Sequence, residues 1–141
     1  MAVATTDTQQ GATLTLATDS LTLRIISITG VIEKIINIPT TYLGSTTKKT
    51  WRPGELADYD EVTVVYQNSP GLANPTKVVQ TITITGPTAT GASTPESVTG
   101  TAFVNTVPML PGYDSANEGL QTKTLVFKWD GETGPTRTVS S

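Results

Sequence analysis

Two clusters in one stretch hold most of the chemistry this sequence could perform. In Leu43 to Pro70, LGSTTKKTWRPGELADYDEVTVVYQNSP, the cations Lys48, Lys49 and Arg52 flank Trp51, and the carboxylates Glu55, Asp58, Asp60 and Glu61 follow a Pro53-Gly54 turn signal. Cations around one aromatic ring can stack on a base and meet its phosphate. They can equally anchor a contact with another subunit, since Trp and Arg are enriched at such anchors, or form a solvated loop whose Trp packs back on a sheet. Asp58, Asp60 and Glu61 could ligate a hard cation such as calcium through oxygen, or form a solvated acidic turn; the spacing and central Gly of an EF-hand loop are missing. The chain has no His and no Cys. That removes the usual general base, the Ser-His pair, a thiolate nucleophile, disulfides and most transition-metal sites. No enzymatic activity is expected, and no catalytic residue, cofactor or metal ligand is nominated. The Gly86-Pro87 to Gly100 stretch is not a phosphate loop, because the Lys and following helix of that motif are absent.

The elements that must carry these residues follow from composition. At 141 residues the chain can close one hydrophobic core and too little remains for a second. Only 15% of residues are charged while Thr, Val and Ile abound, which points to an all-β protein rather than disorder. The formal charge of -3 does not describe a protein that binds phosphates by counterion release. The N-terminus lacks the basic start and apolar run of a signal peptide, and no apolar run approaches the roughly 20 residues of a spanning helix. A soluble domain suited to a reducing cytoplasm is expected.

Residues 1–10 are small and polar and are expected to form a mobile arm. From Ala12 the pattern has period two: Leu14 and Leu16, then Leu21, Leu23 and Ile25 beyond an Asp19-Ser20 turn. Ile26 to Ile38 could also suit a helix face, but Thr29-Gly30 as a turn or bulge signal favours a second strand ending at Pro39. Thr40 to Asp60 has no sustained period and reads as a long loop, with one helical turn at Glu55 to Asp58. Strands are expected at Val62 to Gln67, at Val78 to Thr85 with Gln80, Ile82 and Ile84 on one face, at Val98 to Val107, and at Leu120 to Trp129. Asn68 to Thr76 and Gly86 to Thr99 read as connectors, and Asp114 to Gly119 as a capped turn. Asp130-Gly131 reads as a turn into a return strand, Thr136 to Val139. Phe103, Phe127 and Trp129 are expected in the core, and Gly44, Gly54, Gly112 and Gly131 at turns needing positive φ. The reading is a β-sandwich or small β-barrel of about 7–8 strands with a short flanking helix or helical turn.

The succession of motifs resembles the tail tube proteins (major tail proteins) of long, flexible-tailed bacteriophages. It runs from Gly11-Ala12-Thr13-Leu14 through the Leu43-Gly44 entry, the basic arm with its aromatic, Pro53-Gly54-Glu55-Leu56, the strand Glu61 to Tyr66 and Gly100-Thr101-Ala102-Phe103-Val104, to Leu125-Val126-Phe127-Lys128-Trp129-Asp130-Gly131. The resemblance covers nearly the whole chain, residues 11–141. It departs from the family in offering only one-turn helix candidates.

That resemblance implies a structural virion protein, assembled in the bacterial host cytoplasm. Six copies close into a ring, and rings stack into the conduit for the genome. Tape measure, tail terminator and baseplate proteins are implied partners, with no membrane. The long loop 40–60 is implied to reach the adjacent ring, with Lys48, Lys49, Trp51, Arg52, Asp58, Asp60 and Glu61 as subunit-interface candidates. Six copies at -3 each carry -18, so an acidic lumen would let DNA pass without specific binding. The alternative from residues alone is an immunoglobulin-like β-sandwich used for binding or decoration.

Overall fold

A computed structural model describes residues 11–41, 47–88, 93–113, 116 and 119–139. The expected N-terminal arm, the Leu43-Gly44 entry, part of the 86–99 connector and most of the Asp114 to Gly119 turn lie outside the described residues. The alternating apolar runs form β1 (Thr13–Leu16), β2 (Leu21–Thr29), β5 (Val62–Gln67), β6 (Gln80–Thr85), β7 (Ser97–Thr106) and β8 (Thr122–Trp129), while β3 (Glu33–Pro39), β4 (Trp51–Tyr59) and β9 (Thr136–Thr138) are additions. The first six pair antiparallel in the order β6-β1-β2-β5-β8-β7, and β6 pairs back onto β7 to close a six-stranded barrel. Closure leaves a barrel rather than the two-sheet sandwich of the immunoglobulin-like alternative. It also leaves few free edges.

The period-two pattern has a direct physical result. Leu14, Leu16, Leu23, Val62, Val64, Tyr66, Ile82, Val104, Leu125 and Phe127 all point inward and are essentially inaccessible to water. Phe127 and Trp129 meet edge to face, with ring centroids 5.2 Å apart. Phe103 does not join them: its neighbours Ala102 and Val104 take the inward positions, so parity places Phe103 on the outer face, half-buried. Thr residues fill that outer face, where their branched Cβ suits the pleat; Thr83 and Thr99 are cross-strand partners whose hydroxyls lie 2.9 Å apart.

Several expected boundaries move. The strand expected over Ile26 to Ile38 is divided: β2 runs to Thr29, Gly30 breaks it, and a new strand, β3, ends at Pro39. The loop expected over Thr40 to Asp60 is half strand, and the helical turn at Glu55 to Asp58 lies inside β4; no helix occurs among the described residues. Gly54 and Gly112 do not take positive φ, whereas Gly131 does. Asp130-Gly131 does not make a hairpin, since β9 pairs with β7 rather than β8. Ala102 faces Trp129 and Thr99 faces Thr136, so β8 and β9 lie in line along one edge of β7, separated by a loop. That loop is held by Asp130, whose carboxylate accepts hydrogen bonds from the Thr101 hydroxyl and the Glu132 amide.

Candidate assembly surface

The segment that carries the predicted site leaves the barrel between two hydrogen-bonded neighbours, β2 and β5. At its foot the two chains pass so closely that a Cβ on Gly30 would stand 2.2 Å from the Glu61 carbonyl oxygen, and Gly30 has φ +93°. Only glycine fits there. Beyond it β3 and β4 pair with each other alone, as a two-stranded ribbon. Near the far end the Thr40 and Thr50 hydroxyls hydrogen-bond at 2.7 Å and the Thr50 amide donates to the Thr41 hydroxyl at 2.8 Å. The ribbon is bulged: Ile35 faces Ala57 but Asn37 faces Pro53, which leaves Gly54, Glu55 and Leu56 without ladder partners of their own. The Pro53-Gly54 signal thus marks a bulge.

The ribbon leaves several of its large side chains exposed. Ile35, Trp51 and Leu56 are 46%, 60% and 75% exposed, and an isolated two-stranded hairpin is marginal in water without a surface to pack on. The predicted site residues are sorted by position along it. Lys48 and Lys49 lie just before β4, and Trp51 and Arg52 at its start, all exposed. Asp58, Asp60 and Glu61 lie at the barrel end. At about 3.3 Å per residue, roughly 20–25 Å separates the two groups, so the cations of one copy do not meet its own carboxylates.

The acidic residues have local partners instead. Asp58 lies opposite Lys34 in the ladder and accepts a hydrogen bond from the Tyr59 amide at 2.9 Å. Asp60 forms an ion pair with the Lys34 ammonium at 2.9 Å, and Glu61 accepts from the Asn105 amide nitrogen at 3.3 Å. Among the described residues no three carboxylates converge as a cation site. Lys128 on β8 donates to the Tyr59 carbonyl at 2.9 Å and ties the foot of the arm to the barrel wall.

Sequence reasoning missed two features of this region. Lys34 gave no local signal, because its partner Asp60 is brought to it only by the β3–β4 register. A cleft of about 220 Å³ opens at the foot of the arm, lined by Val31, Ile32, Tyr59, Val98, Trp129 and Pro135 together with the charged Glu33 and Arg137. The Arg137 guanidinium is held by Glu96 at 2.6 Å. These residues come from four separated parts of the chain.

No family model matches the chain, and no curated protein matches it in sequence. Its fold does match solved structures. The sheath/tube terminator of an extracellular contractile injection system in its extended state superposes with a TM-score of 0.69 at 14% identity, over 92% of this chain and 96% of the other. The tube-terminating cap of the anti-feeding prophage gives 0.68 at 18%, over 92% and 91%. A sheath–tube complex of an extracellular contractile injection system gives 0.66 at 13%, over 94% and 90%. The chain therefore shares its fold, along nearly its whole length, with chains from a sheath/tube terminator, a tube-terminating cap and a sheath–tube complex.

Proposed function

We propose that this chain is a structural subunit of a phage-type tail tube, which closes into rings of six copies that stack into a hollow conduit. The observation that carries this reading is the β3–β4 ribbon: a closed barrel satisfies its own edges, yet it projects a two-stranded arm exposed on its surfaces, and such an arm gains stability only against a neighbour. The fold likeness to contractile-system chains supports it, and widens the expected setting beyond flexible-tailed phages. In this reading Lys48, Lys49, Trp51 and Arg52 contact an adjacent copy, and Asp58, Asp60 and Glu61 present a negative surface near its barrel. The subunit works in a virion or virion-like tail, alongside tape measure, terminator and baseplate proteins, and DNA or other cargo passes without specific binding.

Two of the similar structures described above are named for ending a tube, and that favours a second reading within the same class, a ring that terminates rather than propagates. Negative-stain microscopy of the purified protein across a concentration series, with mass in solution recorded in parallel, separates the outcomes. Hollow tubes of constant diameter support the tube subunit. Single rings that never stack support the terminating role, and a monomer at every concentration overturns both.

A further inference from the structure

The barrel has two unlike ends. β2 runs into the arm and β5 returns from it at one end, where the cleft also lies; β7 finishes and β8 begins at the other, joined by the connection Val107 to Gln121. In that connection Met109 and Leu110 are 89% and 72% exposed. They sit between Pro108 and Pro111, and Pro111 is itself buried. Two prolines restrict the backbone around this apolar tip, so little freedom remains to be lost when it is bound.

We propose that the Met109-Leu110 tip is a plug that seats in the cleft at the foot of the arm of a second copy, and so joins copies head to tail. Four observations select this occupant. The cleft, at about 220 Å³, is smaller than the roughly 300–1,000 Å³ of small-molecule sites and suits a side chain or two. Six of its eight lining residues, Val31, Ile32, Tyr59, Val98, Trp129 and Pro135, are apolar or aromatic, the setting in which a flexible Met fills irregular space well. Plug and cleft lie at opposite ends of one barrel, so end-to-end contact leaves a free plug on one copy and a free cleft on the other and repeats along an axis. The charges agree: Thr40 to Gly54 contains Lys48, Lys49 and Arg52 and no acid, whereas Val107 to Gln121 contains Asp114 and Glu118 and no cation, so an arm projecting past one barrel meets a connection of opposite sign on the next.

The inference rests on the tube reading and is tested by complementation. A plug variant, Met109→Asp with Leu110→Asp, keeps its cleft; a cleft variant, Ile32→Asp, keeps its plug. All three positions are exposed, so both variants should keep the wild-type melting temperature. Each alone should stop at the unstacked unit, with stacking weakened on the order of tenfold or more, as loss of one buried Leu or Met side chain implies. Mixed in equal amounts, they should form assemblies of two stacked units and no more, because only one productive junction exists. Mass photometry reads all three samples. Stacking by either variant alone to the wild-type extent overturns the plug while leaving the tube reading intact. Wild-type rings that never stack also overturn it and favour the terminating role, and a wild type that never assembles overturns both.

Discussion

Gly100 lies directly against Pro135: a Cβ at Gly100 would stand 2.8 Å from the Pro135 Cα and 2.9 Å from the Thr133 carbonyl oxygen. Both are backbone atoms and cannot rotate aside. Gly100→Ala should therefore lift the 130–135 loop, stretch the bond from the Thr101 amide to the Thr133 carbonyl, now 2.8 Å, and loosen β9. A loss of about 1–3 kcal/mol is expected from such overpacking, measured by urea unfolding, and Gly100→Ser should behave alike.

Asp19 fastens the far end of the barrel. Its carboxylate accepts hydrogen bonds from the Thr76 amide at 2.9 Å, the Thr76 hydroxyl at 2.7 Å and the Gln80 side-chain nitrogen at 3.0 Å, while the Gln80 oxygen accepts from the Asp19 amide at 3.2 Å. Desolvation pushes its pKa up, but the bonds from Gln80 and Thr76 outweigh it and hold the group below the ordinary 3.8. A depressed carboxyl stabilises the fold fully above its unfolded value and loses that contribution as pH falls through its folded one. Stability should thus decline below about pH 4. Asp19→Asn should flatten that decline, and Asp19→Ala, which leaves buried Gln80 short of a partner, should cost about 1–3 kcal/mol near neutral pH.

Tyr66 presents the opposite case. It is fully buried in the barrel, its hydroxyl meets no hydrogen-bond partner among the described residues, and burial raises its pKa above the ordinary 10.0. A raised value means stability that is present below about pH 10 and falls as pH rises further. Tyr66→Phe should leave stability unchanged or increase it, because an unpaired polar group is removed while shape is kept. Tyr66→Ala should cost about 3–5 kcal/mol. Chemical denaturation of both at pH 7 and of wild type at alkaline pH checks the three expectations.

Charge reversal at Lys48 and Lys49 should weaken polymerisation and leave the barrel's melting temperature unchanged, since both are exposed and outside the core. Added salt should mimic it, because the Debye length shrinks from about 8 Å at physiological strength to about 3 Å at 1 M. Sedimentation of assemblies at two salt concentrations reads both effects; growth indifferent to charge and salt would count against an electrostatic role for the arm tip.

Lys34→Ala should change global stability by less than about 1 kcal/mol, since its ion pair with Asp60 is solvated and such pairs contribute little. Its effect should appear locally, as faster amide hydrogen exchange in 33–39 and 51–59 with the barrel strands unaffected.

The barrel was legible wherever burial imposes a period. Leu14 and Leu16, or Gln80, Ile82 and Ile84, alternate because one face is in the core, and the inward set follows from that alone. Phe103 was misassigned because size was weighed above parity. β4 gave no period because both its faces are exposed, so no side of it is selected for apolarity, and Pro53-Gly54 disguised the strand as a turn. Asp130-Gly131 signals a reversal equally well in a hairpin or a bulge loop; the distinction lies in Gly100, some thirty residues away, whose missing side chain admits the loop. The site residues were nominated from one contiguous stretch, but the stretch is extended, and extension separates its two charge clusters. The cleft was invisible because its walls meet only through closure.

The ladder of the arm also acts as a ruler. Because β3 and β4 are paired on both sides of their bulge above a fixed glycine foot, adding two residues to each strand lengthens the projection by about 7 Å without touching the register of β2 against β5. Reach and fold are thus independent variables in this chain, and the distance over which it can bridge to another body is written as a residue count.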